Sequence, residues 1–371
     1  MDEILGSLLV QPPIPRFASL AGWQSTSMVC GPYARDVLPS SPGRATAVGS
    51  WPGADVASAV RTAFHELPDP HVPYLPELPD RGPGADLIGR GATLLIGMPI
   101  DLQPSGWRLV DRPGRDLARA RAWLRQDLDV LAEVADGYAG PLKLQVTGPW
   151  TLAASLHLPR LERAVVDPGA VRDVVGSLAD GVAQHVQEVR KLVPGAQIVV
   201  QVDEPSLPAV LAGSLPTASG LGRLRAIPGQ EVADGIRAVL DGATSAGALG
   251  TVVHCCAPQP PVAVLVLSGA GAVSVDVTQL GRAGWEAVAV AVEAGHLLWA
   301  GIVPTDAPGD PRAAADRLTG AWGKLGLPAA RLGDVVLSPA CGLAGRSEPH
   351  ARSVLRTVRE AAAEVAERSV A

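Results

Sequence analysis

Lysine is nearly absent from this chain: three residues in 371, beside abundant arginine and alanine. That bias reads as the mark of a GC-rich genome rather than of a basic binding surface. The formal net charge of -6 gives no general attraction to nucleic acid or to an anionic membrane. Cysteine is scarce as well. Four residues, two of them adjacent, do not make a disulfide framework for a chain of this length, and they suit a reducing compartment with metal or thiol chemistry better. No uncharged apolar run reaches the roughly 18 residues that a spanning helix needs. The opening Met1-Asp2-Glu3-Ile4-Leu5 carries acids where a signal peptide would carry bases. The expectation is a soluble cytoplasmic protein with neither nucleic acid nor membrane as partner. Nucleotide-binding signatures are missing too. Val48-Gly49-Ser50-Trp51-Pro52-Gly53 lacks the GxGxxG spacing after the first apolar run, and no GxxxxGK followed by Ser or Thr occurs.

What is present is an apolar fraction of 47%, enough for a sizeable core in one large domain or two ordinary ones. Residues 1–43 stand apart. Pro12-Pro13-Ile14-Pro15 and Ser40-Ser41-Pro42-Gly43 punctuate a stretch without clear periodicity, read as a poorly ordered N-terminal extension. Within it Met28 offers an alternative start, and Cys30 is a loop cysteine without function. From 44 to 371 short β-type runs alternate with helical patterns. Strands are expected near 45–50, 92–96, 142–146, 197–202, 250–255, 272–277, 297–303 and 334–338. Helices are expected near 54–64, 116–135, 230–246, 284–295, 311–324 and 348–367. A further helix shows Val171, Val174, Val175, Leu178, Val182, Val186 and Val189 at helical spacing. Residues 66–91, rich in proline and glycine, read as a long loop, with Glu77 and Arg81 on a surface loop rather than a lid. Strands alternating with helices over most of the chain indicate a parallel α/β architecture. Eight candidate strands favour a (β/α)8 TIM barrel in one domain, 44–371, over a doubly wound sheet.

Chemistry gathers at the ends of the later strands. Gly250-Thr251-Val252-Val253 leads into His254-Cys255-Cys256, Ala272-Val273-Ser274-Val275 into Asp276, and Asp334-Val335-Val336-Leu337-Ser338-Pro339-Ala340 into Cys341-Gly342-Leu343. Alternation along a strand puts His254 and Cys256 on one face and Cys255 on the other. One imidazole and two thiolates are a donor set that zinc prefers. Taken singly, each cysteine reads more readily as a small buried hydrophobe. Position changes that reading, because ligands at the ends of different barrel strands converge near one axis. His65, His71 and His296 are isolated and read as solvated or satisfied. Asp203 and Glu204 are neighbours and face opposite ways, so only Asp203 is assigned to a pocket.

These blocks resemble the catalytic half of the cobalamin-independent methionine synthases. The likeness extends to Gln201-Val202-Asp203-Glu204-Pro205-Ser206-Leu207, to Val48-Gly49-Ser50-Trp51-Pro52 and to Gly148-Pro149-Trp150-Thr151, in the family's order. The resemblance implies a barrel that binds zinc through His254, Cys256, Cys341 and, at the acidic position, Asp276. It also implies a homocysteine site with the Ser50 backbone at the amino-acid carboxylate and Asp203 at the ammonium. Helix-start N–H groups would suit the former, and opposite charge the latter. The family usually carries Glu where Asp276 stands, so reach is shorter by about 1.5 Å. Its full-length members also carry a second, N-terminal barrel that helps bind folate, and a tryptophan thought to face folate, whose place falls here near Ser155.

The expected activity is therefore zinc-dependent transfer of a methyl group to the thiol of homocysteine, forming methionine, from a methyl-folate or a corrinoid carrier. Asp203 and Asp276 would be its catalytic carboxylates. Two other readings stand beside it: a metal-independent decarboxylase of the porphyrin type, and a barrel that binds zinc or a thiol without turnover. Replacing Cys341 by Ser is expected to lower zinc occupancy and abolish transfer, whereas Cys255→Ser should leave both nearly intact. Metal analysis with a transfer assay checks this, and equal behaviour of the two variants would refute the strand-face assignment.

Overall fold

The computed structural model describes residues 37–38, 41–159 and 162–370. The expected extension over 1–43, with Met28 and Cys30, lies almost wholly outside the described residues. Helix α1, Val56–Glu66, opens at Asp55, whose carboxylate accepts from the Ser58 N–H. Asp86 caps α2, Leu87–Ala92, in the same way. An antiparallel ribbon follows, β1 Ile100–Gln103 with β2 Gly106–Leu109, and then α3, Arg115–Val134. From there strands and helices alternate. β3, Pro141–Thr147, precedes α4, Pro149–Ser155, and α5, Pro168–Leu192. β4, Gln197–Asp203, precedes α6, Leu207–Ala212, and α7, Gly229–Ser245. β5, Gly250–Cys255, then α8, Val262–Leu267, lead to β6, Ala272–Asp276, and α9, Arg282–Glu293. β7, Leu297–Val303, α10, Pro311–Lys324, β8, Val336–Pro339, and α11, Glu348–Ser369, complete the order.

Strands β3 to β8 form one curled parallel sheet in chain order, flanked by helices. The fold is thus α/β with six regular parallel strands, where eight were expected. The first expected strand, 45–50, makes only isolated parallel bridges. The second, 92–96, does not form: it is the end of α2 and the turn after it, with Ala92 and Leu95 packed in the core. Short apolar runs do not distinguish a strand from a buried helix end. An extended segment at 72–77, inside the supposed loop, lies beside 45–50. Ala45 bridges Leu337 of β8, Ser50 bridges Glu77, and Tyr74 bridges Lys143 of β3. Val72 N–H donates to Ala45 O at 2.9 Å and Lys143 N–H to Pro73 O at 2.9 Å. Backbone pairing therefore passes from β8 to β3 through two irregular segments. Prolines 73 and 76 remove donors from the second, so no continuous ladder can run along it.

Both faces of the sheet are covered, as parallel sheets require. On one face Val200, Val202, Val253, Val273 and Leu298 join the large cluster beneath the helices. On the other, Val199, Val252, Ala272, Trp299 and Val336 form a small cluster near the strand starts, together with Val37, Leu38 and Val72. Further along that second face, Gln201, Asp203, His254, Ser274, Asp276 and Ser338 are buried and polar. The site is built from this change of character along one face. Among the described residues no helix is long and apolar enough to cross a membrane.

Trp299 is fully buried in the small cluster. Trp299→Ala is expected to cost about 3–5 kcal/mol of stability, measured by urea unfolding. A loss under about 1 kcal/mol would deny the cluster a packing role.

Candidate active site

β5 carries His254 at its end, 3% exposed, with Nδ1 2.9 Å from the Ser274 hydroxyl on β6. The other ring nitrogen, Nε2, is buried without a partner. Burial, with the charge of Lys143 adding to it, pushes the imidazole down to about 3, so the ring is neutral and able to donate a lone pair. Cys256 follows directly after β5, and Cys341 follows β8 at the exposed rim. Their sulfurs stand 3.3 Å apart. That contact draws the Cys341 thiol down to about 7, against the effect of burial, and raises that of Cys256. Cys255 is fully buried in the large cluster, and burial pushes its thiol up to about 12. The alternation expected along this strand is the one observed.

Asp276 ends β6 and turns its carboxylate onto its own following turn. Oδ1 accepts from Thr278 N–H at 2.9 Å and Thr278 Oγ1–H at 2.6 Å, and Oδ2 accepts from Gln279 Nε2 at 2.6 Å. Asp203 ends β4 and accepts from Gln201 Nε2 at 2.7 Å. Burial raises its carboxyl well above the usual range, Lys143 opposes that rise, and Glu77 adds to it. Glu204 faces the opposite way. It accepts from the Trp150 and Thr151 N–H groups at 2.9 and 2.8 Å and from the Thr151 hydroxyl at 2.6 Å, capping α4. Burial raises it to about 7.

Ser50 lies against the Cys341-Gly342-Leu343 turn. Leu343 N–H donates to its carbonyl at 3.0 Å, and Ala344 N–H to its hydroxyl at 3.4 Å. A side chain on Gly342 would collide with the Ser50 hydroxyl, which is why glycine follows Cys341. Ser50 is not at a helix start, however: α1 begins beyond Asp55, and the neighbouring Trp51 N–H is bonded to Glu77 O at 2.8 Å.

Glu77 and Arg81, expected on a surface loop, are held inside. Glu77 is 6% exposed. Arg81 grips Asp127 of α3 with two hydrogen bonds of 2.7 and 2.9 Å, Arg90 contacts the same carboxylate, and Arg90 Nε lies 3.7 Å from Glu77. His65 is exposed, His71 Nδ1 accepts from Ala45 N–H at 3.2 Å, and His296 Nδ1 pairs with Ala270 O at 2.8 Å. Lys143, fully buried on β3, was not foreseen. Its one signal is a lone charge alternating with apolar residues in Leu142-Lys143-Leu144. Burial lowers its ammonium to about 8, with Asp203 and Glu77 opposing that shift.

Among the described residues no three His, Cys, Asp or Glu side chains already stand as a ligand set for a metal ion. The donors nonetheless fit zinc in kind: two sulfurs in contact, and on the same strand face an imidazole whose buried Nε2 lacks the partner such an atom normally has.

Residues 44–364 match the family described as cobalamin-independent synthase, catalytic domain. The fold is similar to that of a B12-independent methionine synthase from Shewanella sp. W3-18-1 in complex with selenomethionine. The identity is 14%, the TM-score 0.58, and the match covers 88% of this chain and 98% of that one. A likeness to the Y628A carboxyl transferase domain of Rhizobium etli pyruvate carboxylase with pyruvate has 12% identity and a TM-score of 0.25, over 64% and 43% of the two chains. That score is too low to bear on the fold. No curated protein matches the sequence.

Ser274 is the partner of His254 Nδ1. Were zinc held by His254, Ser274→Ala would weaken its binding by about 10–100-fold, read by competition with a chromogenic chelator, while Thr278→Ala would have a smaller effect. Unchanged affinity in Ser274→Ala would separate His254 from any metal.

Proposed function

The chain belongs to the family of cobalamin-independent synthase catalytic domains, and on that premise we propose that it is a zinc-dependent methyltransferase converting homocysteine to methionine. The observation that carries this reading is the thiol pair Cys256–Cys341, with the unpartnered Nε2 of His254 two residues before Cys256 in the chain. The six-stranded sheet and its two bridging segments are read as a (β/α)8 barrel with two irregular staves, occupying residues 44–371 after an extension over 1–43. A reducing cytoplasm would keep the thiols free.

His254, Cys256 and Cys341 would hold the metal. Asp276 stands at the acidic position, and to ligate it would have to release one of the hydrogen bonds from Thr278 or Gln279. With those bonds kept, it orients groups around the site instead. Zinc bound there would lower the pKa of a substrate thiol, near 8.5 when free, so that a thiolate is present at neutral pH. The chain's own residues fix the rest of the molecule. Asp203, and Glu77 beside it in charge, would face the ammonium, and the backbone at Ser50 the carboxylate. Holding both ends turns an encounter into an oriented attack on the methyl group. The methyl donor is a methyl-folate or a corrinoid carrier.

Purified protein supplied with homocysteine and either methyltetrahydrofolate or methylcobalamin tests the reading, with metal analysis alongside. Zinc at one per chain and methionine from either donor is the expected result. Zinc without methionine would favour a binding barrel, and full turnover without metal would overturn zinc dependence. Asp203→Asn is expected to raise the KM for homocysteine by about 10–100-fold, the worth of one charged hydrogen bond, with zinc content unchanged. An unaltered KM would remove Asp203 from the ammonium site.

A further inference from the structure

We infer that Lys143 and Gln201 are positioning residues that together set the span between the two ends of the amino-acid site. The inference rests on the homocysteine reading above and adds to it the residues that hold the site in shape. Lys143 Nζ donates to Val48 O at 2.6 Å and to Gln201 Oε1 at 3.0 Å. Gln201 Nε2 donates to the same Val48 carbonyl at 2.8 Å and to Asp203 Oδ1 at 2.7 Å. One carbonyl, two residues before Ser50, therefore receives donors from both β3 and β4. The amide that completes this arrangement also holds the Asp203 carboxylate. Among the described residues Asp203 Oδ2 receives no hydrogen bond, so Gln201 restrains one oxygen and leaves the other for a ligand.

A lysine that served only to neutralise buried acids could pair directly with one of them. Here it reaches Asp203 through a neutral amide, and its hydrogen bonds go to the backbone that leads to Ser50. The choice of residue points the same way. In a chain that otherwise uses arginine, one of the three lysines occupies this fully buried place. A compact ammonium fits between a carbonyl and an amide where a planar guanidinium would not. Gly49 is pinned as well, since a Cβ there would come within 2.6 Å of Gln145 Cγ. Gln145 is itself tied to Leu75 O at 2.6 Å. The turn carrying Ser50 is thus fixed from β4, which presents Asp203, and from its neighbour β3.

The test compares binding of L-homocysteine and of 3-mercaptopropylamine, which lacks the carboxylate, to the zinc-loaded full chain by calorimetry. Wild type, Lys143→Met and Gln201→Asn are measured, with zinc content and melting temperature recorded for each. The asparagine variant keeps the amide and withdraws it by about 1.5 Å, so it provides a folded comparison if the lysine variant is unstable. The expected result is at least an approximately tenfold loss of homocysteine affinity in each variant. Affinity for the truncated thiol should fall less, so the preference for the complete amino acid shrinks, with zinc bound as in wild type. A parallel loss for both ligands, or wild-type affinity in Gln201→Asn, would overturn the positioning role while leaving the activity standing. Failure of the wild type itself to bind homocysteine would overturn the substrate reading and this inference with it.

Discussion

The candidate site depends on strand register. Asp203 pairs with His254, and His254 with Ser274, across three adjacent parallel strands. Because side chains alternate with a period of two, a slip of one residue would exchange the two faces. Val202, Cys255 and Val275 would then replace the polar row and the charged groups would enter the hydrocarbon between sheet and helices. The burial of one face in a large apolar cluster forbids this. The same apolar packing that stabilises the sheet therefore also orients the chemistry.

A second constraint is electrostatic. Lys143, Glu77, Asp203 and Asp127 are all nearly or fully buried, and an unpaired buried charge is costly. Each has a counter-charge or a hydrogen bond. Asp127 is shared by Arg81 and Arg90, Arg90 reaches toward Glu77, and Lys143 and Gln201 link Val48 to Asp203. The network joins the proline-rich segment to α3 on one side and to the candidate substrate site on the other. Removing one member would leave its partners without compensation, which makes the segment part of the core rather than a surface loop.

Much of this arrangement was legible in the sequence where local pattern and tertiary role coincide. The runs at 250–255 and 297–303 are apolar, bounded by turns and buried on both faces, and they are strands. The placing of His254 with Cys256 and away from Cys255 follows from alternation alone. The segment 72–77 was not legible, because its prolines carry the signature of a loop while its pairing depends on neighbours remote in the chain. The run 92–96 misled for the opposite reason: its apolar residues serve a helix end and a turn. Arg81 and Asp127 lie 46 residues apart, and no spacing rule connects them. Lys143 was hidden as a single charge among apolar residues, where sequence provides no distinction between a buried ammonium and an exposed one. The self-capping of Asp276 depends on Thr278 and Gln279 in a turn whose geometry is set by the fold and not by local sequence pattern.

Val37 and Leu38 close the sheet's starting end. They pack over Val199, Val252 and Trp299, and the close approach of Val37 leaves no room for a side chain at Gly250. Among the described residues that end is filled by hydrocarbon, whereas the opposite rim carries the exposed Cys341. On the proposed reading, the thiol acceptor and the methyl carrier would meet at that rim.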